Sequence, residues 1–429
     1  MRRFPFALAL LVSLLFSSNL TAASDAVQHP FTLTSPPHYF QDPPPKSTRR
    51  IHVGPWRAAS AVLQDNTAMP PIRIILTHPT RAGRYPIMIF LSGMFGLVPA
   101  FWYNDMYDRM AYDGSGMLIV ALELAAAVPT SYRQSSTYMH HVMEWCRHGH
   151  LASLLADQGF PEIMPVTTGI LLAGHSSGAQ SVVDVLEAVK HDIAGLVLFD
   201  PVDSYGLPPS QRPNQTQVSP WAGFPPLSMD AYARLMSADK STTDKLGPVI
   251  DPGNPTQFLD AHVPVLIVST GLCHKASFQI PVPKNIPLPP EVTNEDSLWP
   301  ACCPKGLGPR RFWNGLRGST RWHLNVTGFG HCDVLSDPWA LTNKIAHFCS
   351  SGRDWHPPGQ PWKKILDLSH FRRLVAGLVA AFVDATVNEV CEGLSWIENR
   401  DSISTFNLLM ERIYRQEDVK RYPCLSSRV

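Results

Sequence analysis

Gly169-Ile-Leu-Leu-Ala-Gly-His-Ser-Ser-Gly178 is the stretch on which the reading of this chain turns. Its first half, Gly169 to Ala173, is a short aliphatic run of the kind that forms a buried strand. Gly174-His175-Ser176-Ser177-Gly178 follows at once, and a helix is predicted from Ser177 to Lys190. Strand, sharp turn and helix around Gly-x-Ser-x-Gly form the setting of a nucleophile elbow, in which the serine hydroxyl stands above the end of a sheet. The glycines permit a turn that side chains would block. An ordinary Gly-Ser turn needs neither the strand before it nor the helix after it.

Outward from this motif, strands and helices alternate. Arg73–Thr77, Ile87–Leu91, Met117–Leu122, Ile193–Phe199, Val263–Ser269 and Trp322–Val326 read as strands. Phe101–Tyr112, Tyr138–Gln158 and His370–Glu389 read as helices, and Leu374–Val383 within the last is apolar all round, as in a helix buried against a sheet. The order predicts an α/β-hydrolase fold, a mostly parallel, doubly wound sheet with helices on both faces. No internal repeat at a fixed period interrupts it.

A serine nucleophile needs a base, and the chain has 17 histidines. In this fold the base lies in a loop after the last strand. His331, in Gly328-Phe-Gly-His-Cys-Asp333, has that position; His323 lies inside the strand, and His347, His356 and His370 come too late. For the acid, the strand Val263–Ser269 is followed by Thr270-Gly-Leu-Cys-His274, which holds no carboxylate. The preceding strand ends Leu198-Phe199-Asp200-Pro201-Val202-Asp203, placing Asp200 at a strand tip, where open parallel sheets build their sites. Asp200 is the expected acid and Asp203 the reserve. The expected oxyanion hole combines the backbone amides of Ser177 and of Met94, in Phe90-Leu-Ser-Gly-Met-Phe-Gly96. No metal or organic cofactor is needed for this chemistry. His140, His141, Cys146, His148 and His150 resemble a row of metal ligands, but they lack His-Glu-x-x-His spacing and read as a solvated helix face and turn.

Composition bounds the remainder. The chain has 429 residues, 45% hydrophobic and 17% charged, with a net charge of +1 and no basic block, which sets nucleic acid aside as a partner. Arg2 and Arg3 precede an apolar run from Phe4 to Phe16, and Thr21 and Ala23 fit a cleavage site, so residues 1–23 read as a signal peptide. That run is too short to span a bilayer, and membrane contact is expected to be peripheral at most. Residues 24–50 form a Pro-rich arm, 51–395 the catalytic domain and 396–429 a C-terminal tail. The signal opens the secretory route, with extracellular, vacuolar or ER-served plastid destinations. Eight cysteines in such a compartment are expected to form disulfides, and Asn214 and Asn325 begin glycosylation sequons.

Several of these motifs, in this order, resemble the chlorophyllases. Tyr85-Pro-Ile-Met-Ile-Phe-Leu91 is similar to the family's strand before its oxyanion loop, and Gly174–Gly178 and Leu198–Val202 to its nucleophile and acid motifs. Val265–Leu272, Cys303-Pro-Lys-Gly306, Phe312-Trp313, Gly328–Leu335 and Phe371–Phe382 complete the resemblance, from about Tyr85 to Ala385. It implies a triad of Ser176, Asp200 and His331, and cleavage of the phytyl ester of chlorophyll to chlorophyllide and phytol. The chain departs at Ser177, where the family usually has Arg, and at Ser92-Gly93, where it usually has His-Gly. An apolar ester substrate is the expected partner, with 204–258 and 280–308 as candidate walls of its groove. Two other readings stand beside this one: a lipase or polyester-cleaving esterase with the same triad, and an inactive scaffold that binds lipid or protein.

Overall fold

A computed structural model describes residues 47–54, 69–93, 96, 98–112, 116–124, 132–203, 259–274, 302–303, 307–337, 339–340, 349–352, 368–398, 408–416, 418 and 422–428. The expected signal peptide, almost all of the Pro-rich arm, Met94 and most of both candidate groove walls lie outside them.

The elements, in chain order, are β1 (Thr48–Val53), β2 (Ile74–Pro79), β3 (Gly83–Leu91), a 3-10 turn (Ala100–Tyr103), α1 (Asn104–Tyr112), β4 (Leu118–Leu122), α2 (Tyr132–Arg147), α3 (His150–Asp157), β5 (Ile163–His175), α4 (Ser177–Val189) and β6 (Gly195–Phe199). There follow β7 (Leu259–Asp260), β8 (Val265–Thr270), α5 (Pro309–Gly315), β9 (Leu316–Arg317), β10 (Arg321–Val326), α6 (Leu368–Thr386), α7 (Cys391–Glu398) and β11 (Leu408–Ile413). Nine strands form one sheet in the order β1-β2-β4-β3-β5-β6-β8-β10-β11, while β7 and β9 pair separately. Every pairing from β4 to β10 is parallel, and the antiparallel strands sit at the two edges.

Both faces of the parallel strands are apolar, so both must be covered. Met88 and Phe90 of β3, Leu171 and Ala173 of β5, and Val197 and Phe199 of β6 point into one core with α6. Ile87 and Ile89, Ile170 and Leu172, and Leu196 and Leu198 point into the other with α2 and α4. The period-2 alternation places helices on both faces, as expected of the α/β-hydrolase fold.

The structure differs from the sequence expectations in three places. The single helix expected over Tyr138–Gln158 is two, because the chain breaks at Gly149, whose φ of 84° no helix interior accepts. Thr48–Arg50, expected at the end of the arm, belong to an edge strand. Leu408–Ile413, expected in a tail, form the opposite edge; only Leu408 and Met410 are half-buried, and the charged, exposed Glu411 and Arg412 hide the apolar signal of a strand.

The glycines of the serine motif have a specific packing reason. A Cβ on Gly174 would lie 2.5 Å from the backbone carbon of Gly178, and one on Gly178 would lie 2.3 Å from the Leu91 carbonyl oxygen. The first turn of α4 is pressed directly onto the ends of β5 and β3. Gly178→Ala is therefore expected to destabilise the protein by about 3 kcal/mol, the upper end for overpacking, since the obstructing atoms are backbone. Urea denaturation measures it, and an unchanged midpoint would contradict this packing account.

Candidate active site

Ser176 sits between the last residue of β5 and the first of α4, with φ 57° and ψ −125°. A non-glycine residue in this region stores on the order of 1–3 kcal/mol, and the surroundings must hold it there. They do so through backbone bonds. Ser176 N donates to Phe199 O (3.0 Å), while Val202 N and Ala179 N donate to Ser176 O (each 3.1 Å). The elbow is thereby bonded to the turn after β6, the turn that carries Asp200. Asp200 itself has φ 38°. Its N–H donates to Val268 O on β8 (2.8 Å), and its carboxylate accepts from Thr270 N (2.7 Å) and Thr270 Oγ1 (2.5 Å).

His331 follows β10, 4% exposed, and its Nδ1 lies 3.6 Å from Asp200 Oδ2. The same Nδ1 lies 3.2 Å from Cys303 Sγ. Asp203, the reserve acid, is engaged elsewhere: Arg311 Nε donates to its Oδ2 at 2.6 Å in a buried pair. The structure thus brings Asp200 and His331 together and pairs Asp203 with Arg311. Ser177, the expected donor of one oxyanion amide, is fully buried at the start of α4.

A relay of hydrogen bonds, which motif reasoning missed, ties the base loop to the elbow. Gly93 N–H donates to Tyr103 Oη (3.3 Å), Tyr103 O–H to His175 Nδ1 (2.7 Å), and His175 Nε2–H to His331 O (3.0 Å). The carbonyl at its end can only accept, so the network fixes the His175 tautomer. Burial, and then the neighbouring His331, hold the His175 pKa well below its ordinary value of 6.5, so it stays neutral. Asp333, fully buried, accepts from Gly330 N, Ser351 Oγ and Gly352 N, stapling the loop on its far side. Arg372 of α6 is buried beneath it, bonded to Leu335 O (2.8 Å) and paired with Asp105 and Asp337.

His323, rejected as a base for its place within a strand, lies in β10 with its Nε2 2.8 Å from Ser269 Oγ. Burial lowers its pKa from 6.5 to about 4. The unfolded chain binds this proton first as pH falls, so stability is full above 6.5 and declines toward pH 4. The decline from this residue alone is roughly 3 kcal/mol. Urea midpoints measured across that range should fall less steeply in His323→Gln than in the native protein; superimposable curves would refute the assignment.

Among the described residues, two disulfides form, Cys302–Cys349 and Cys391–Cys424, while Cys146, Cys273, Cys303 and Cys332 are free thiols. Of the eight cysteines expected to form disulfides, four do so, in two bonds. Burial raises the pKa of Cys146 and Cys332 and keeps them as thiols. Asn325 lies inside β10 with its side-chain oxygen buried, a poor position for a glycan, and Asn214 falls outside the described residues. The row from His140 to His150 does not converge. Among the described residues, the one group of metal-ligand type is Asp200, Cys303 and His331. No described helix is long and apolar enough to cross a membrane.

The family model described as Chlorophyllase matches residues 47–220 and 237–413. Chlorophyllase-1, chloroplastic, of Citrus unshiu is 23% identical over 326 residues, covering 73% of this chain and 72% of its own. Chlorophyllase-2 of Arabidopsis thaliana is 23% identical over 327 residues (74% and 78%), and Chlorophyllase-1 of the same plant 25% over 328 (75% and 78%). With the family match running from the first edge strand to the last, across the strand tips that carry Ser176, Asp200 and His331, this chain belongs to the chlorophyllase family.

Proposed function

We propose that the chain is a serine ester hydrolase in which Ser176 is the nucleophile, His331 the base and Asp200 the acid. The observation that carries this reading is the pairing of the His331 imidazole with the Asp200 carboxylate, at 3.6 Å, on a turn bonded to the strained Ser176 backbone. In the proposed cycle, His331 Nε2 takes the hydroxyl proton as Ser176 Oγ attacks the ester carbonyl. The amides of Ser177 and Met94 hold the oxyanion, each contributing about 3 kcal/mol to transition-state stabilisation. The imidazolium hands its proton to the leaving alcohol, and a water activated by the same histidine cleaves the acyl-enzyme. Asp200 holds the Nδ1–H tautomer and stabilises the imidazolium. A small rotation of the imidazole shortens the 3.6 Å separation to a hydrogen bond as substrate binds.

The proposed substrate is chlorophyll, cleaved at its phytyl ester to chlorophyllide and phytol. The support is family membership and the names of the relatives. Burial of a phytyl chain would favour binding by up to about 0.8 kcal/mol per CH₂. The word chloroplastic in the Citrus relative's name supports a plastid as the proposed site of action, reached here through the secretory route that the N-terminal residues predict. Purified protein incubated with chlorophyll and, separately, with a short-chain acyl ester tests the reading. Chlorophyllide release is the expected result. Hydrolysis of the short ester alone would leave the chemistry standing and remove chlorophyll as substrate.

A further inference from the structure

We infer that Asp200, Cys303 and His331 form a binding site for a divalent ion of the zinc type, and that occupying it switches the hydrolase off. Cys303 Sγ and Asp200 Oδ2 lie 3.2 and 3.6 Å from one atom, His331 Nδ1, and the three donor atoms all fall within 4.8 Å of one another. Bonds of about 2.0–2.3 Å in a tetrahedron require donors roughly 3.3–3.8 Å apart; the two distances to His331 Nδ1 are close to this, and the Cys303–Asp200 separation must close from at most 4.8 Å. One thiolate, one imidazole and one carboxylate select zinc over magnesium or calcium.

The ligands are held from behind, as metal ligands generally are. Thr270 fixes the Asp200 carboxylate through two hydrogen bonds, and His175 fixes the His331 backbone. Cys303 N donates to Cys273 O (2.9 Å), and the preceding residue is tied by the Cys302–Cys349 disulfide. Cys273 packs with Cys303 in one buried cluster, adding a second sulfur nearby. A cavity of about 290 Å³ is lined in part by Thr270, Cys273 and Cys303.

The chemistry of inhibition follows from the atom used. Binding deprotonates one thiol, Cys303, and releases that proton to solvent with the displaced waters of the ion. The ion takes the lone pair of His331 Nδ1, which forces the ring proton onto Nε2. That nitrogen then cannot accept the Ser176 proton. The same ion draws away the carboxylate that would have stabilised the imidazolium. Inhibition therefore needs no contact with substrate and is noncompetitive in form.

The inhibition half rests on the ester-hydrolase reading; the binding half does not, and two measurements separate them. Full-length protein, handled without oxygen so that its free thiols stay reduced and both disulfides stay closed, is titrated with Co²⁺ alone and with Zn²⁺ alone. Expected are one ion per chain at this site, a thiolate-to-cobalt charge-transfer band, and its persistence in Ser176→Ala. Cys303→Ser and Cys303→Ala should each lose the band and weaken Zn²⁺ binding by at least about tenfold. Ester hydrolysis, normalised to each variant's metal-free rate, should need at least about tenfold more Zn²⁺ for half-inhibition in the Cys303 variants. A band that survives in both Cys303 variants, or native protein that binds no ion, would overturn the site. Native protein that binds the ion through Cys303 yet keeps its full hydrolysis rate would overturn the switch. Cys303-dependent binding in a protein without ester turnover would uphold the site and count against the esterase reading.

Discussion

Ester turnover by Ser176→Ala is expected to fall by about a million-fold in kcat, to the residual rate that binding and the oxyanion donors provide. The elbow itself should survive the change. Its geometry is set by backbone bonds from Phe199, Val202 and Ala179 and by the contact of Gly174 with Gly178, none of which uses the serine hydroxyl. The positive φ of Ser176 is no worse for alanine than for serine. Loss of activity should therefore come with an unchanged unfolding midpoint. A serine-directed phosphonate should label the native protein stoichiometrically and the variant not at all. Labelling that persists in the variant would assign the nucleophile to another residue, and a native protein that neither labels nor turns over would return the chain to the scaffold reading.

Asp200→Asn should cost about 10⁴-fold in kcat with little change in KM. The asparagine amide oxygen can still accept from Thr270 N, so the turn after β6 should keep its shape. Its NH₂ group, however, faces His331 Nδ1 with a donor where an acceptor is needed, favouring the tautomer that cannot work. Combined with Ser176→Ala the loss should not add, because the two residues act as one unit. Asp203→Asn is the contrasting variant. It disrupts a buried pair with Arg311 and should appear as lost stability, about 3–5 kcal/mol, rather than as a lost rate per folded molecule. If Asp203→Asn lowered kcat more than Asp200→Asn in folded protein, the two acids would exchange roles.

The parts of this arrangement that are local in sequence are the parts that could be read from it. The serine motif is contiguous, and its flanking strand and helix have unmistakable periods. Asp200 was legible because an aliphatic run ends on it and because the next strand offers no carboxylate. The relay from Gly93 through Tyr103 and His175 was not legible. Its members are separated by 10, 72 and 156 residues, and His175 occupies a position the serine motif leaves open to any residue. Cys303 was hidden in the same way, visible in the sequence only as a possible disulfide partner and as the start of one family-like motif. Edge strand β11 was missed because Glu411 and Arg412 disguise a segment that needs to bury only one side of itself. Gly149 carried the information that would have divided the long helix, but a glycine inside a helical pattern acquires that meaning only when its φ is known.

The pairing of β5 with β6, His175 against Phe199, has an evolutionary corollary. The proposed attacking group and its proposed counter-charge, Ser176 and Asp200, each follow one member of this pair, so their spacing is inherited from the sheet itself. The stretch that leaves β8, where many relatives of this architecture must anchor their carboxylate, is released from that duty. On the proposed reading, changes of length or polarity in the chain between Cys273 and Cys302 are expected to alter ester preference without retuning the proton transfer.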